Sequence, residues 1–219
     1  MRVVVVGGSG RTGMLIVEAL VASGDTAVAT IRNPKHMAGL VKAGAETVML
    51  DLEKSTGPDF QKIFKGADAV VFAAGSAAGE GSALDRTGVV KTVRASVTAG
   101  VRRYLNIASI GASTGMRLTG QWATDEMKDY YRQKRAANKA VLAAEIEGII
   151  VEPGELTDGG GTGKVKLSQL AITEESVPRA DVAAVIVALL HEPKAAGKAF
   201  QLTRGPNTIA TAVKKAVGA

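Results

Sequence analysis

Val3-Val4-Val5-Val6-Gly7-Gly8-Ser9-Gly10-Arg11-Thr12-Gly13, followed by Met14 to Ser23, decides the fold. Four consecutive β-branched residues read as a strand buried on both faces, as in a parallel sheet. Gly7 to Gly13 reads as a turn, Met14 to Ser23 as a helix, and Gly24 as its C-terminal stop. A strand, a glycine turn and a helix in that order open a βαβ unit. In such a turn Gly7 permits the tight bend, Gly10 lets the backbone approach a diphosphate, and Gly13 lets helix and strand pack closely. The helix N-terminus offers free N–H groups and the positive end of its dipole to an anion. The segment therefore predicts a dinucleotide cradle built from Gly7, Ser9, Gly10, Arg11, Thr12 and Gly13. A glycine turn without a ligand is the plainer alternative.

Outward from this segment, short apolar runs alternate with helical patterns. Strands are expected at Thr26 to Ile31, Glu46 to Leu50, Ala67 to Ala73, Arg103 to Ala108, Ile149 to Val151 and Ala199 to Thr203, with a short segment at Lys164 to Leu167. Helices are expected near Pro58 to Lys65, Leu84 to Ala99, Asp125 to Ile146 and Asp181 to Leu190. This alternation implies an α/β, Rossmann-type, doubly wound parallel sheet. One domain over residues 1–219 is expected, with small C-terminal elements on the substrate side. Ligands of such sheets bind beyond the carboxyl ends of the strands, at the switch point.

Composition narrows the function. The 219 residues are 46% hydrophobic and 22% charged, as in a globular chain, and only 4% aromatic, which argues against a stacking platform for single-stranded nucleic acid. The net charge of +6 comes from scattered residues with no nucleic-acid motif, so a basic surface around a phosphate-bearing cofactor is the expectation. There is no cysteine, which removes disulfides, thiol catalysis and thiolate metal sites. No His/Asp/Glu cluster has metal spacing. Val3 to Val6 is too short for a signal peptide or a membrane span, so a cytoplasmic protein without a membrane partner is expected, as monomer or homodimer.

The second strand discriminates between dinucleotides. An NAD site places Asp or Glu after it, on the ribose hydroxyls, whereas this chain has Arg32-Asn33-Pro34-Lys35. A guanidinium pairs with a 2′-phosphate in bidentate fashion and a carboxylate repels it, so NADP(H) is the expected cofactor. Arg11 is a second cation for that role, and a solvated Arg32 is the plain alternative. Asp51-Leu52, after the third strand, is placed to reach the adenine. Ala73-Ala74-Gly75, after the fourth, leaves room for the cofactor backbone.

These residues resemble the atypical short-chain dehydrogenases/reductases, in the NADP-binding subgroup similar to biliverdin-IXβ/flavin reductases and NmrA-like proteins. GGSGRTG, TIRNP, VVFAAGS, GVRRYLNIASIGA, YYRQK, VEPGELTD, GTGKV and VPRADVA carry the resemblance in order along most of the chain. It implies a Ser-Tyr-Lys set, and Ser109, Tyr130 and Lys134 match it. Residues four apart lie on one helix face, so the Lys134 ammonium can sit near the Tyr130 hydroxyl and lower its pKa from about 10. A helical wheel at about 100° per residue puts Lys128, Arg132, Arg135 and Lys139 in one solvated stripe. Tyr130 and Lys134 fall opposite, with Met127, Ala137 and Val141. A lysine on the apolar side needs a partner, or it snorkels into water. Tyr131 points to the flank and is expected to pack.

Two departures stand out. Where standard members carry a supporting Asn, Asp85 stands here, either holding a water or Lys134, or capping its helix. Glu152 stands where relatives often have Arg before Pro-Gly, which alters the charge expected near the nicotinamide. Pro153 and Gly154 are expected behind the nicotinamide, and Arg117 and Trp122 on the substrate wall, with Trp122 as a packing anchor in the alternative. The resemblance implies an NADPH-dependent reductase of a small carbonyl, quinone, flavin or conjugated compound. In flavin-reductase-like relatives the proton comes from solvent, and members often lack part of the set. A non-enzymatic NADP(H) sensor of the NmrA-like kind is the alternative. Only 66 residues follow Pro153, few for the substrate domain of a sugar-nucleotide epimerase.

Overall fold

Val3 and Val5 point into one hydrophobic core and Val4 and Val6 into another, and all four are fully buried. They belong to β1 (Arg2–Val6), and the two cores lie on opposite faces of one sheet. The computed structural model describes residues 1–75, 83–115, 118–173 and 175–218.

After β1 come α1 (Arg11–Ala22), β2 (Thr26–Ile31), α2 (Met37–Lys42), β3 (Glu46–Met49), α3 (Gly57–Phe64) and β4 (Ala69–Phe72). The second half runs through α4 (Ala83–Thr98), β5 (Arg103–Ile107), α5 (Asp125–Leu142) and β6 (Glu147–Pro153). The chain then forms β7 (Leu156–Thr157), β8 (Lys164–Ser168), β9 (Val177–Pro178), α6 (Arg179–Leu190), β10 (Lys198–Arg204), β11 (Asn207–Thr208) and α7 (Ile209–Val217). The main sheet has the order β11-β8-β10-β6-β5-β4-β1-β2-β3, and β7 pairs with β9 apart from it. Strands β3, β2, β1, β4, β5, β6 and β10 are parallel. The order reverses at β1, which has β2 on one side and β4 on the other, so the switch-point crevice opens where these strands end.

The expected Rossmann-type sheet is present, with several differences in detail. Helix α1 begins at Arg11, inside the glycine motif, because Gly10 is extended and acts as its N-cap. Helix α2 lies where only a loop was expected; it is six residues long and buries Leu40 alone, too little to give a periodic signal. Helix α5 ends at Leu142 rather than Ile146, because β6 already starts at Glu147. Beyond β6, β8 runs antiparallel to both β10 and β11, and α7 closes the chain. Helix α3 starts from a capping box in which Thr56 and Asp59 satisfy each other's backbone or side chain.

Candidate active site

The glycine turn is shaped by close approaches. Gly7 has φ +83°, and a Cβ there would lie 2.8 Å from Cα of Ala74, where the turn after β4 crosses it. A Cβ on Gly13 would strike the Gly7 carbonyl oxygen, so helix and strand meet backbone to backbone. Gly8 is also constrained, because a Cβ there would lie 2.7 Å from the Ala29 methyl of β2, a restriction that the motif did not announce. Thr30, buried on β2, was also missed. Its hydroxyl accepts from the Gly7 N–H at 3.1 Å, and its carbonyl accepts from the Gly8 N–H at 3.2 Å, which locks the turn.

The opening of α1 is bare. Gly10 brings no side-chain cap, and the first turn holds no acidic residue. The first amides of an α-helix have no acceptor within it, so those of Arg11, Thr12 and Gly13 are unmatched inside α1. Gly10 and Arg11 are exposed, and Ser9 and Thr12 are half-buried. An uncapped N-terminus with glycines where a Cβ would intrude suits a diphosphate.

Arg32 is exposed just past β2. Arg11 is also solvent-facing and pairs with Asp158 at 3.2 Å. Asp51 turns back on its own loop, where its Oδ1 accepts from the N–H groups of Glu53 and Lys54 at 3.0 and 3.2 Å. Those bonds, with the Lys54 and Arg32 charges, hold its carboxyl below the ordinary value. Leu52 reaches towards Gly88 of α4 beside Phe72.

At the other end of the crevice, Lys134 of α5 is buried and its Nζ donates to Asp85 Oδ1 at 3.0 Å. Asp85 sits in the first turn of α4, and the same Oδ1 lies 3.5 Å from where a Gly75 Cβ would stand. The pair therefore lies against the turn that leaves β4, at the crevice. The structure shows Asp85 paired with Lys134, one of the roles expected for it. Lys134 Nζ also lies 5.5 Å from the centre of the Tyr130 ring. The solvated stripe of Lys128, Arg132, Arg135 and Lys139 is exposed as the wheel requires.

Among the three tyrosines, Tyr104 is fully buried with its hydroxyl 2.7 Å from Thr92 Oγ1, and burial pushes its phenol far up. Tyr131 is buried, edge-on to Tyr130 with centroids 5.4 Å apart. Tyr130 is half-buried and is the one beside Lys134.

Ser109 is half-buried in the loop after β5, and its carbonyl accepts from the Ala112 N–H at 3.0 Å. Pro153 and Gly154 are buried; Pro153 O accepts from Ile110 N–H, and Gly154 N–H donates to Leu202 O. Glu152, the departure from the family pattern before Pro153, is buried among neutral partners. It is 1% exposed and turned towards α5, where Oε1 accepts from Ser113 N–H at 2.7 Å and Asn138 Nδ2 at 2.9 Å. Burial raises its carboxyl pKa against hydrogen bonds from Ser113, Gln201 and Asn138. Arg179 and Asp181, at the start of α6, tie down the glycine-rich loop. Arg179 donates to Leu156 O and Asp158, and Asp181 accepts from Thr162 and Gly163. Arg117 and the side chain of Trp122 lie outside the described residues. No cluster of His, Cys, Asp or Glu suited to a metal ion occurs among the described residues, and no helix there is long and apolar enough to cross a membrane.

A doubly wound sheet whose first glycine turn opens onto an uncapped helix defines a nucleotide-binding Rossmann protein. The model of the NAD(P)H-binding family matches residues 7–193, and the chain belongs to that family. It is 31% identical over 220 residues to a Bacillus subtilis protein named "Uncharacterized sugar epimerase YhfK", covering 98% of this chain and 100% of the relative. Among solved structures it is similar to one from Bacillus halodurans, provisionally named an NAD-dependent epimerase/dehydratase, with a TM-score of 0.88, 31% identity and coverage of 98% and 99%. ChuY of Escherichia coli O157:H7, named an anaerobillin reductase, shares the fold with a TM-score of 0.81 at 22% identity, covering 95% of this chain and 99% of that one. The atypical short-chain dehydrogenase/reductase resemblance thus holds at the level of family and fold.

Proposed function

We propose that the protein is an NADPH-dependent reductase acting on a small carbonyl, quinone, flavin or conjugated substrate. The observation that carries this reading is Lys134, buried at the crevice, paired with Asp85 and set against Tyr130. Burying an ammonium is costly, and a surface helix gains nothing by it unless the charge is used. Lys134 Nζ stands 5.5 Å from the centre of the Tyr130 ring, which keeps the cation beside the proton donor in this reading. Tyr130 then protonates the substrate oxygen, Ser109 orients the carbonyl, and Asp85 keeps Lys134 in place. The nicotinamide, when bound, supplies the hydride. Gly7, Ser9, Gly10, Arg11, Thr12 and Gly13 hold the diphosphate, Arg32 and Arg11 meet the 2′-phosphate, and Leu52, Asp51 and Ala73–Gly75 flank the rest of the dinucleotide. Pro153 and Gly154 support the loops around the nicotinamide. An exposed Arg32 with no exposed carboxylate directly after β2, and an exposed Arg11 at the glycine turn, favour NADPH over NADH.

The names of the Bacillus relatives favour a second reading, an epimerase in which the same Tyr130 and Lys134 serve an oxidation that the bound cofactor later reverses. The two differ in cofactor turnover. A reductase consumes NADPH stoichiometrically with its substrate; an epimerase does not. The test is NADPH oxidation by the purified protein across quinones, flavins, aldehydes and ketones, with Tyr130→Phe alongside. Turnover with at least one class is expected. No oxidation across the panel overturns the reductase reading, and an undiminished Tyr130→Phe variant shifts the proton source to solvent.

A further inference from the structure

We propose that Glu152 is a positioning residue, a buried carboxylate that clamps the loop carrying Ser109 onto α5 and so sets Ser109 against Tyr130 and Lys134. The inference rests on the reductase reading and names the residue that aligns its two halves. Ser109 and the Tyr130–Lys134 pair come from different elements, the loop after β5 and helix α5. Their relative placement has to be fixed by something that touches both.

Glu152 does so through one oxygen. Its Oε1 accepts from the Ser113 N–H of the loop at 2.7 Å and from Asn138 Nδ2 of α5 at 2.9 Å. Asn138 reinforces the joint: its Nδ2 also donates to Ser113 Oγ at 3.0 Å, and its Oδ1 accepts from Asn106 Nδ2 of β5 at 2.9 Å. Arg135 Nε donates to Ala112 O at 3.1 Å, and Gln201 Nε2 of β10 donates to Thr114 Oγ1 at 2.9 Å. Residues 112, 113 and 114 are thus each tied to a neighbouring element, while Ser109 is joined to Ala112 by a tight turn.

Asn138 lies one turn beyond Lys134 and two beyond Tyr130, on the same side of the helix. Holding Asn138 fixes the rotation of α5 about its axis, and with it the direction of both side chains. The partners of Glu152 named here, Ser113, Asn138 and Gln201, are all neutral, and burial raises its pKa. An acid in that setting weakens the fold relative to an apolar side chain. Its geometry gives a reason for its presence: one oxygen receives donors from two elements, which no aliphatic side chain can do.

The test compares wild type, Glu152→Gln, Glu152→Leu and Asn138→Ala as full chains. Three quantities are measured: NADPH affinity by calorimetry, kcat and KM with an acceptor that wild type reduces, and amide hydrogen exchange across residues 109–115. Glutamine keeps an accepting oxygen and should retain kcat within about threefold. Leucine should lower kcat on the order of 10- to 100-fold, as expected for a small misplacement of reacting groups, with NADPH affinity unchanged and faster exchange at Ser113. Asn138→Ala removes half of the clamp and should show the same split if the leucine variant does not fold. Faster exchange with unchanged kcat overturns the clamp and leaves the reductase standing. A wild type that binds NADPH but reduces nothing overturns the reductase reading, and the clamp falls with it.

Discussion

Replacing Lys134 by methionine removes a charge and keeps most of the volume. Lys134 and Asp85 side chains are 9% and 0% exposed, and they meet at 3.0 Å. At an effective dielectric constant of about 20, charges at that separation attract by roughly 5 kcal/mol, offset by the cost of dehydrating both. Breaking a buried pair by removing one partner typically costs about 3–5 kcal/mol, because the other charge stays buried. In a domain of this length each kcal/mol shifts the melting temperature by roughly 2–4 °C, so Lys134→Met should melt roughly 6–20 °C below wild type. Asp85→Asn on the same background removes the buried charge that Lys134 faced, and the double variant should regain much of the loss. Urea unfolding of wild type, both singles and the double gives the coupling energy directly. A single variant within about 0.5 kcal/mol of wild type, or a double with strictly additive losses, would refute the buried-pair reasoning.

Further predictions test other parts of the molecule. Gly13→Ala pushes a methyl into the Gly7 carbonyl and should cost about 1–3 kcal/mol and abolish NADPH binding. Gly10→Ala, whose Cβ would stand 3.3 Å from that oxygen, should fold normally yet bind NADPH more weakly, as titration calorimetry would show. Asp158→Asn frees Arg11 from its 3.2 Å ion pair and should tighten NADP⁺ roughly two- to fivefold at low salt, an effect that added salt removes. Two glutamates should give pH dependences of opposite sign. Although burial raises it, hydrogen bonds from Arg102 and Arg103 hold Glu147 below its ordinary value of 4.5, so its stabilisation is present above that pH and lost as pH falls through the folded value. Burial raises Glu152, so wild type loses stability as pH climbs from 4.5 towards the folded value. Glu152→Gln should therefore gain on wild type between roughly pH 4 and pH 7, whereas Glu147→Gln should lose; melting curves across that range read both.

The helical wheel placed Lys134 on the inner face of α5 correctly, because helix periodicity is local and α5 is long. It had no means of pairing Lys134 with Asp85, since the two residues are 49 positions apart in sequence. Glu152 shows the same limit. Its place before Pro153 gives no hint that its side chain meets Ser113 and Asn138, residues 39 and 14 positions away. Thr30 gave no signal because a single threonine in an apolar strand resembles any other. The expected segment Lys164 to Leu167 is β8, whereas the two-residue β11 and the nine-residue α7 beyond Thr203 are too short to give a periodic signal.

The sequence alone determined the parallel sheet, its glycine turn and the helix that opens from it. Those features follow from backbone sterics and hydrophobic period within a few dozen residues, which any chain with this pattern must obey. Only the tertiary structure decided that Lys134 meets Asp85, that Arg11 meets Asp158, and that Glu152 ties the Ser109 loop to α5. Such pairings depend on which strands lie side by side and which face each side chain takes, and no local property of the chain encodes a distance between residues so far apart.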